Sequence, residues 1–138
     1  MGRIMSIDYG KKRVGIAVTD PDRIIATGLT TVSSQDIFHF LEEYVSKENI
    51  DCIVVGEPVQ MDNTKSEAAK YVDPFVTKLQ KQFDYLEIKR MDERFTSKMA
   101  MQAMIDGGLK KKARQNKELV DTISATLILQ SYLEFINK

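Results

Sequence analysis

Residues 50–55 read Ile-Asp-Cys-Ile-Val-Val, and this almost continuous apolar run limits the choice of fold more than any other segment. Such a run is typical of a strand that is buried on both faces of a sheet. Local patterns predict further strands at 3–8, 13–19, 23–31 and 86–90, a helix capped by Ser33 or Ser34, and helices at 66–82, 97–107 and 118–136. Three strands followed by strand–helix alternation predict an α/β fold, with a five-stranded mixed sheet and helices on both faces.

The composition is that of a globular chain, with 43% hydrophobic and 29% charged residues. Its 138 residues suit one domain, which we expect to span residues 1–138. The 20 basic and 20 acidic residues cancel, so nucleic-acid binding would have to come from a local basic patch. Neither a leader pattern nor a membrane-length apolar run is present in the sequence, and we therefore expect a cytoplasmic protein without a membrane partner.

The supply of cysteine and histidine limits the chemistry. Cys52 is the single cysteine and His39 the single histidine, so together they cannot form a Cys/His zinc site. Cys52 lies inside the apolar run, where we expect a buried and unreactive thiol.

Three acidic residues fall at the ends or on the faces of predicted core elements. Asp8 ends the first strand, Glu93 directly follows the last strand, and Asp121 shares a face of the final helix with Ala125 and Ile128. A carboxylate in such a place is costly to desolvate unless it is paired, hydrogen-bonded or bound to a metal.

Each acid also has a purely structural interpretation. Asp8 could cap its own turn, Glu93 could belong to an ion-pair cluster with Arg94, and Asp121 could be a charge favoured by a helix N-terminus. If the three acids meet at one end of the sheet, however, their repulsion predicts a bound cation. Mg²⁺ prefers carboxylate and water oxygens. Two such ions, roughly 4 Å apart, stabilise the attacking and leaving oxygens of phosphodiester cleavage.

Four motifs occur in order along the chain: Asp8-Tyr9-Gly10 with Arg13 and Gly15, Val54-Val55-Gly56 with Pro58, Asp-Glu-Arg-Phe-Thr-Ser at 92–97, and the segment 121–133. As a set they resemble the YqgF family of Holliday junction resolvase-like proteins, also described as pre-16S rRNA nucleases, with a ribonuclease H-like fold. The resemblance implies catalytic and metal-binding roles for Asp8, Glu93 and Asp121, with Mg²⁺ or Mn²⁺, two ions, as cofactor. Glu57 departs from the family, which usually has an apolar residue there. It is either a fourth metal-binding acid or a surface acid in a turn.

Basic residues near these acids predict where nucleic acid would bind. The candidate contacts are Lys11, Lys12, Arg13, Arg94, Lys110, Lys111, Lys112, Arg114 and Lys117. Contacts from such residues to phosphates fix position without reading sequence. The alternative for segment 110–117 is a solvated charge run. Because the sequence has no basic stretch rich in aromatic residues, base stacking is not expected as the main binding mode.

These features predict a metal-dependent endonuclease, a phosphodiester hydrolase, acting on structured nucleic acid. The expected substrate is the 16S rRNA precursor or a pre-ribosomal particle. A Holliday junction resolvase acting on DNA and a non-catalytic RNA-binding ribosome maturation factor are the alternatives. The segment 8–15 also resembles the first phosphate loop of actin-like ATPases and sugar kinases, which need two domains. We expect a monomer or a weak homodimer, although a symmetric junction resolvase would need a dimer.

Overall fold

A computed structural model describes residues 2–57, 69–92 and 116–137. In chain order the described elements are β1 (Arg3–Tyr9), β2 (Arg13–Thr19), β3 (Ala26–Ser33), α1 (Ile37–Lys47), β4 (Ile50–Glu57), α2 (Ala69–Gln82), β5 (Glu87–Asp92) and α3 (Lys117–Ile136). This is the predicted order of strands and helices. The helix predicted at 97–107 lies outside the described residues.

The five strands form one mixed sheet in the order β3-β2-β1-β4-β5. β2 runs antiparallel to both β1 and β3, whereas β4 runs parallel to β1 and β5. The predicted five-stranded mixed sheet is therefore confirmed. The parallel arrangement brings the carboxyl ends of β1, β4 and β5 to the same edge of the sheet.

Side chains of β1 alternate between two apolar cores, one on each face of the sheet. Met5 and Ile7 belong to the core that the sheet forms with α1 and α2, where Leu41 and Leu79 are buried. Ile4 belongs to the other core, under α3. Helices therefore cover both faces, as the strand–helix alternation predicted.

α3 lies unusually close to the sheet. Gly15 of β2 faces the helix backbone, and a Cβ atom at this position would overlap the carbonyl group of Asp121. The Ser6 hydroxyl, buried in β1, donates a hydrogen bond of 2.5 Å to the carbonyl oxygen of Ala125. Ser124 and Ala125 are both buried, which agrees with the prediction that small residues let this helix approach the sheet.

β3 begins at Ala26, and the strand start predicted at residue 23 was wrong. The Asp20 carboxylate accepts hydrogen bonds of 2.8 Å from the backbone N–H groups of Ile24 and Ile25. Within this turn Arg23 adopts a φ of 59°. The bond from Ile25, with smaller contributions from its neighbours, lowers the pKa of the Asp20 carboxyl group. The two isoleucines are consequently exposed outside the strand, although their apolar character suggested pairing.

The serine cap predicted for α1 was also wrong. The N-cap residue is Asp36, and its side chain makes no capping hydrogen bond. Ser33 is still the last residue of β3, and its hydroxyl oxygen accepts a hydrogen bond from the Gln35 N–H. The Ser34 hydroxyl instead donates to the carbonyl oxygen of Lys11 at 2.7 Å. Ser34 therefore stabilises the β1–β2 turn and does not cap the helix.

Within the described residues, α3 is the one helix that is long and apolar enough to cross a membrane, with 20 residues and a hydropathy of 1.3. Its contacts are those of a helix that covers a sheet. Ala125, Ile128 and Leu129 are buried against the strands, and the side chains of Thr31 in β3 and Thr122 in α3 are hydrogen-bonded at 2.6 Å. We interpret its apolar character as core packing.

Candidate active site

Asp8 lies on the face of the sheet that α3 covers. Ile4 and Ser6, which lie four and two residues before it, both contact this side, and strand alternation gives Asp8 the same orientation. Across the ladder it pairs with Gly15, the residue that faces the backbone of α3. Asp8 is half-buried at the carboxyl end of β1, the end of the strands at which open α/β sheets bind ligands.

Asp121 is the fifth residue of α3. The helix is capped by Asn116, whose side-chain oxygen accepts hydrogen bonds from the N–H groups of Glu118 and Leu119. Because helix-terminal charge effects fall off within the first turn, they favour Glu118 more than Asp121. The macrodipole alone is therefore a weak explanation for Asp121.

Arg13 of β2 forms an ion pair with Asp121. The Arg13 Nε atom lies 2.7 Å from the Asp121 Oδ2 atom, and the side chains are 36% and 23% exposed. The pair holds the carboxylate in one orientation. Within residues 2–57, 69–92 and 116–137, no hydrogen bond is made to the other oxygen, Oδ1.

A cleft of about 360 Å³ brings the predicted residues together. It is lined by Asp8, Gly10, Lys11, Lys12, Arg13, Lys117 and Asp121. Six of these are predicted site residues, and they come from β1, the β1–β2 turn, β2 and α3. Four cations therefore surround two carboxylates. The cleft can attract phosphate groups while its acids hold a cation.

The basic turn between β1 and β2 is fixed by its backbone. The Gly10 N–H donates a hydrogen bond of 2.9 Å to the carbonyl oxygen of Arg13. Ser34 holds the turn at two points, because its hydroxyl contacts Lys11 and its N–H donates to the carbonyl oxygen of Lys12 at 3.0 Å. Both lysine side chains stay exposed. Sequence reasoning missed this positioning role of Ser34, because a serine before a helix is usually a cap.

Several predicted site residues cannot be compared with the structure. Glu93, Arg94, Lys110, Lys111, Lys112 and Arg114 lie outside the described residues. The side chain of Glu57 is likewise outside them, although its backbone pairs with Asp92 between β4 and β5. Roles for these residues stay predictions.

The donor set of the cleft suits a hard divalent cation. In the described part of the chain, no group of three or more His, Cys, Asp or Glu side chains could hold a metal ion. Asp8 and Asp121 supply two carboxylates in one cleft. Mg²⁺ is commonly held by one or two carboxylates, with water and substrate phosphates as its other ligands. The two acids therefore fit Mg²⁺ better than a metal that needs nitrogen or sulfur ligands.

Residues 2–135 match the family described as "RuvX: Holliday junction resolvase". The chain belongs to the RuvX family. Curated relatives named "Putative pre-16S rRNA nuclease" include one from Phocaeicola vulgatus, 58% identical over 134 residues, covering 97% of this chain and 96% of the relative. Another from Flavobacterium psychrophilum is 55% identical over 133 residues, covering 96% of this chain and 97% of the relative. The predicted family is thus confirmed.

A solved structure supports the fold of this RuvX-family chain. RuvC from T. thermophilus, determined in complex with a Holliday junction substrate, superposes with a TM-score of 0.58 and 18% sequence identity. The match covers 99% of this chain and 96% of RuvC. At this identity the likeness shows the fold alone, and it confirms the predicted ribonuclease H-like architecture. Together with the relatives, RuvX membership supports the prediction of a phosphodiester-cleaving enzyme.

Proposed function

We propose that this chain is a divalent-metal-dependent endonuclease that hydrolyses phosphodiester bonds in the 16S rRNA precursor, in the cytoplasm. The observation that carries the proposal is the cleft in which Asp8 and Asp121 lie among four cationic side chains. Relatives that match 96% or more of this chain carry the pre-16S rRNA nuclease name. Net charge is zero, so the basic character of this cleft is local.

Asp8, Glu93 and Asp121 are the proposed catalytic and metal-binding residues, with Glu57 as a fourth candidate ligand. Glu93 directly follows β5 in the sequence, and the carboxyl ends of β1 and β5 lie at the same edge of the sheet, which favours Glu93 as a partner of Asp8. Mg²⁺ or Mn²⁺, two ions in the full site, would stabilise charge on the attacking and leaving oxygens when bound.

The basic residues of the cleft would position the substrate. Lys11, Lys12 and Lys117 can contact phosphates on either side of the scissile bond. Arg13 has a different role, because its Nε atom holds the Asp121 carboxylate. Arg94 and the basic residues of segment 110–114 are proposed as further phosphate contacts.

A DNA four-way junction is the second candidate substrate. The family description names Holliday junction resolvases, and the RuvC neighbour was solved with such a junction. We place the rRNA precursor first because the relatives with more than half of their residues identical are named for it. A monomer or weak homodimer would suffice for RNA, whereas symmetric junction cleavage would need two active sites.

Cleavage assays on labelled 16S rRNA precursor and a labelled four-way junction test the proposal. Wild type, Asp8→Asn and Asp121→Asn would be compared with Mn²⁺ and with EDTA. Asp84→Asn, which changes an exposed acid in the α2–β5 turn, is the matched control. Metal-dependent cutting of the precursor that is lost in both site variants and kept in the control is expected. Preferred cutting of the junction would reassign the substrate, and RNA binding without cutting would indicate a maturation factor.

A further inference from the structure

A second groove lies on the opposite face of the sheet, between α1 and α2. It has a volume of about 570 Å³, and its lining includes Tyr9, Phe38, Lys70, Tyr71, Phe75 and Lys78. These residues come from β1, α1 and α2. They are spread over some 70 positions in the sequence, so they do not form a continuous basic and aromatic motif.

The rings in this groove form a supported platform. Phe75 is buried, and its ring is stacked on Tyr9, with centroids 4.2 Å apart and an angle of 14° between the planes. Phe38 packs on Phe75 in a tilted arrangement at 5.4 Å. Tyr71 is 42% exposed at the groove. Packing thus fixes the rings of Tyr9, Phe38 and Phe75. The exposed ring of Tyr71 remains open to a flat ligand.

Lysines lie directly over these rings. The Lys78 Nζ atom is 4.5 Å from the centroid of Phe38, and the Lys11 Nζ atom is 5.4 Å from the centroid of Tyr71. Among the described residues that line the groove, none is acidic. Aromatic faces beside mobile cations are the combination that binds single-stranded nucleic acid, because bases stack on the rings while lysines contact phosphates.

The groove and the candidate active site lie on either side of the β1–β2 turn. Tyr9 directly follows Asp8, and consecutive strand residues face opposite sides of the sheet. Lys11 joins the two sites, because it lines the cleft of Asp8 and contacts the Tyr71 ring. A strand that passes over the β1–β2 turn would therefore contact both.

We propose that this groove is a subsite for single-stranded RNA beside the cleavage site. Bases would stack on the exposed ring of Tyr71, and Lys78 would contact a neighbouring phosphate. The inference rests on the proposed nuclease function and deepens it, because it assigns a substrate in which an unpaired segment adjoins the cleaved bond.

Binding measured by fluorescence anisotropy in EDTA tests the subsite without requiring cleavage. The probes are an RNA hairpin with a single-stranded extension of about eight nucleotides, the same hairpin with a blunt end, and a DNA copy of the extended hairpin. Tyr71→Ala should weaken binding of the extended RNA at least about fivefold and leave the blunt hairpin unchanged. Tyr71→Phe, which keeps the ring, should retain wild-type affinity.

Matched controls come from the same protein. Tyr85→Ala removes a tyrosine that is 68% exposed away from the groove, and it should have no effect on either hairpin. Lys78→Gln should lower the slope of log K against log salt by about 0.7, the contribution of one single-strand phosphate contact. Lys81→Gln, on the same helix but not on the groove, should leave the slope unchanged.

The subsite is wrong if Tyr71→Ala and Tyr85→Ala behave alike, or if blunt and extended hairpins lose affinity equally. Because stacking and phosphate contacts do not read the 2′-hydroxyl, the extended DNA copy should bind in the same Tyr71-dependent way, and DNA binding that is unaffected by Tyr71→Ala would contradict stacking. Failure of cleavage with Tyr71-dependent binding would reject the nuclease proposal alone. Metal-dependent cleavage with binding independent of Tyr71 would reject the subsite alone.

Discussion

Arg13 and Asp121 form an ion pair of 2.7 Å between residues that are 108 positions apart in the chain. The pair connects β2 to α3 at the cleft that also contains Asp8. Both side chains are partly exposed, so solvent screens the attraction and its contribution to stability is small. Its main consequence is the fixed orientation of a carboxylate that we assign to metal binding.

Arg13→Gln should therefore reduce cleavage much more than stability. The free energy of unfolding should fall by less than about 1 kcal/mol, the range of exposed ion pairs. Cleavage should fall at least about tenfold, because a misoriented active-site group commonly costs that much or more. Single-turnover cleavage and urea unfolding measure the two effects.

Arg23→Gln is the matched control for this prediction. It breaks the ion pair of 2.8 Å between Arg23 and Asp51, which has similar exposure and lies outside the cleft. Because Arg23 also donates a hydrogen bond of 2.9 Å to the carbonyl oxygen of Gly2, this variant should lower stability at least as much as Arg13→Gln and leave cleavage unchanged. Equal loss of cleavage in both variants would show that Arg13 acts only through stability.

Binding of Mg²⁺ or Mn²⁺ should raise the melting temperature, because a ligand that binds only the native state stabilises it. At ten times its dissociation constant the gain is about 1.4 kcal/mol. Asp8→Asn should abolish this metal-dependent shift and change the stability of the metal-free protein little, because the like charge of Asp121 and the four cations of the cleft act on the Asp8 carboxylate in opposite directions. Thermal unfolding with and without metal provides the measurement. A large loss of metal-free stability would show that Asp8 is mainly structural.

Gly15→Ala should destabilise the fold by about 1–3 kcal/mol, the usual cost of overpacking. The added methyl group would overlap the backbone carbonyl group of Asp121, so α3 would have to move away from the sheet. Gly28→Ala is the comparison, because its methyl group would meet side-chain atoms of Thr122 and Thr126 on the same helix. Side chains can move more easily than helix backbone, so it should cost less in urea unfolding. Equal costs would contradict the close approach of β2 and α3.

Cys52 should make stability depend on pH in the alkaline range. Burial, with a smaller contribution from the Glu87 charge, raises the pKa of the thiol from its ordinary value of 9.0 to about 11. The unfolded chain therefore loses this proton at lower pH than the folded chain. The stabilising effect is fully present below pH 9.0 and is lost as the pH rises through about 11.

Unfolding curves of wild type and Cys52→Ala, measured between pH 9.0 and about 11, test whether stability falls as the pH rises. The stability difference between the two proteins should shrink by on the order of 1–2 kcal/mol as the pH rises. Tyr132 contacts the thiol, and burial also raises the pKa of the Tyr132 hydroxyl group. Tyr132→Phe therefore separates the two groups. At neutral pH the thiol should react with iodoacetamide only after unfolding, since the thiolate is the nucleophile.

Local patterns along the chain were sufficient for the order of the described elements and for the mixed sheet. The apolar run at 50–55 became β4, an interior strand between β1 and β5 that is buried on both faces, because continuous apolar character is visible in any one segment. The positions of Asp8 at a strand end and Asp121 on an inward helix face followed from the same periodicities. The predicted start of β3 was wrong because hydrogen bonds to Asp20 hold Ile24 and Ile25 in a turn, despite their apolar pattern.

The pairings between these segments required the folded chain. Strand order and register bring Arg13 to Asp121, and they place Asp8 and Tyr9 at two different grooves. The sequence argued against base stacking because no single stretch is both basic and aromatic. Tyr71 and Lys11 are nevertheless in contact, because helix packing joins residues 60 positions apart. Periodicity fixes which face a side chain occupies, whereas its partners depend on long-range packing that no local pattern contains.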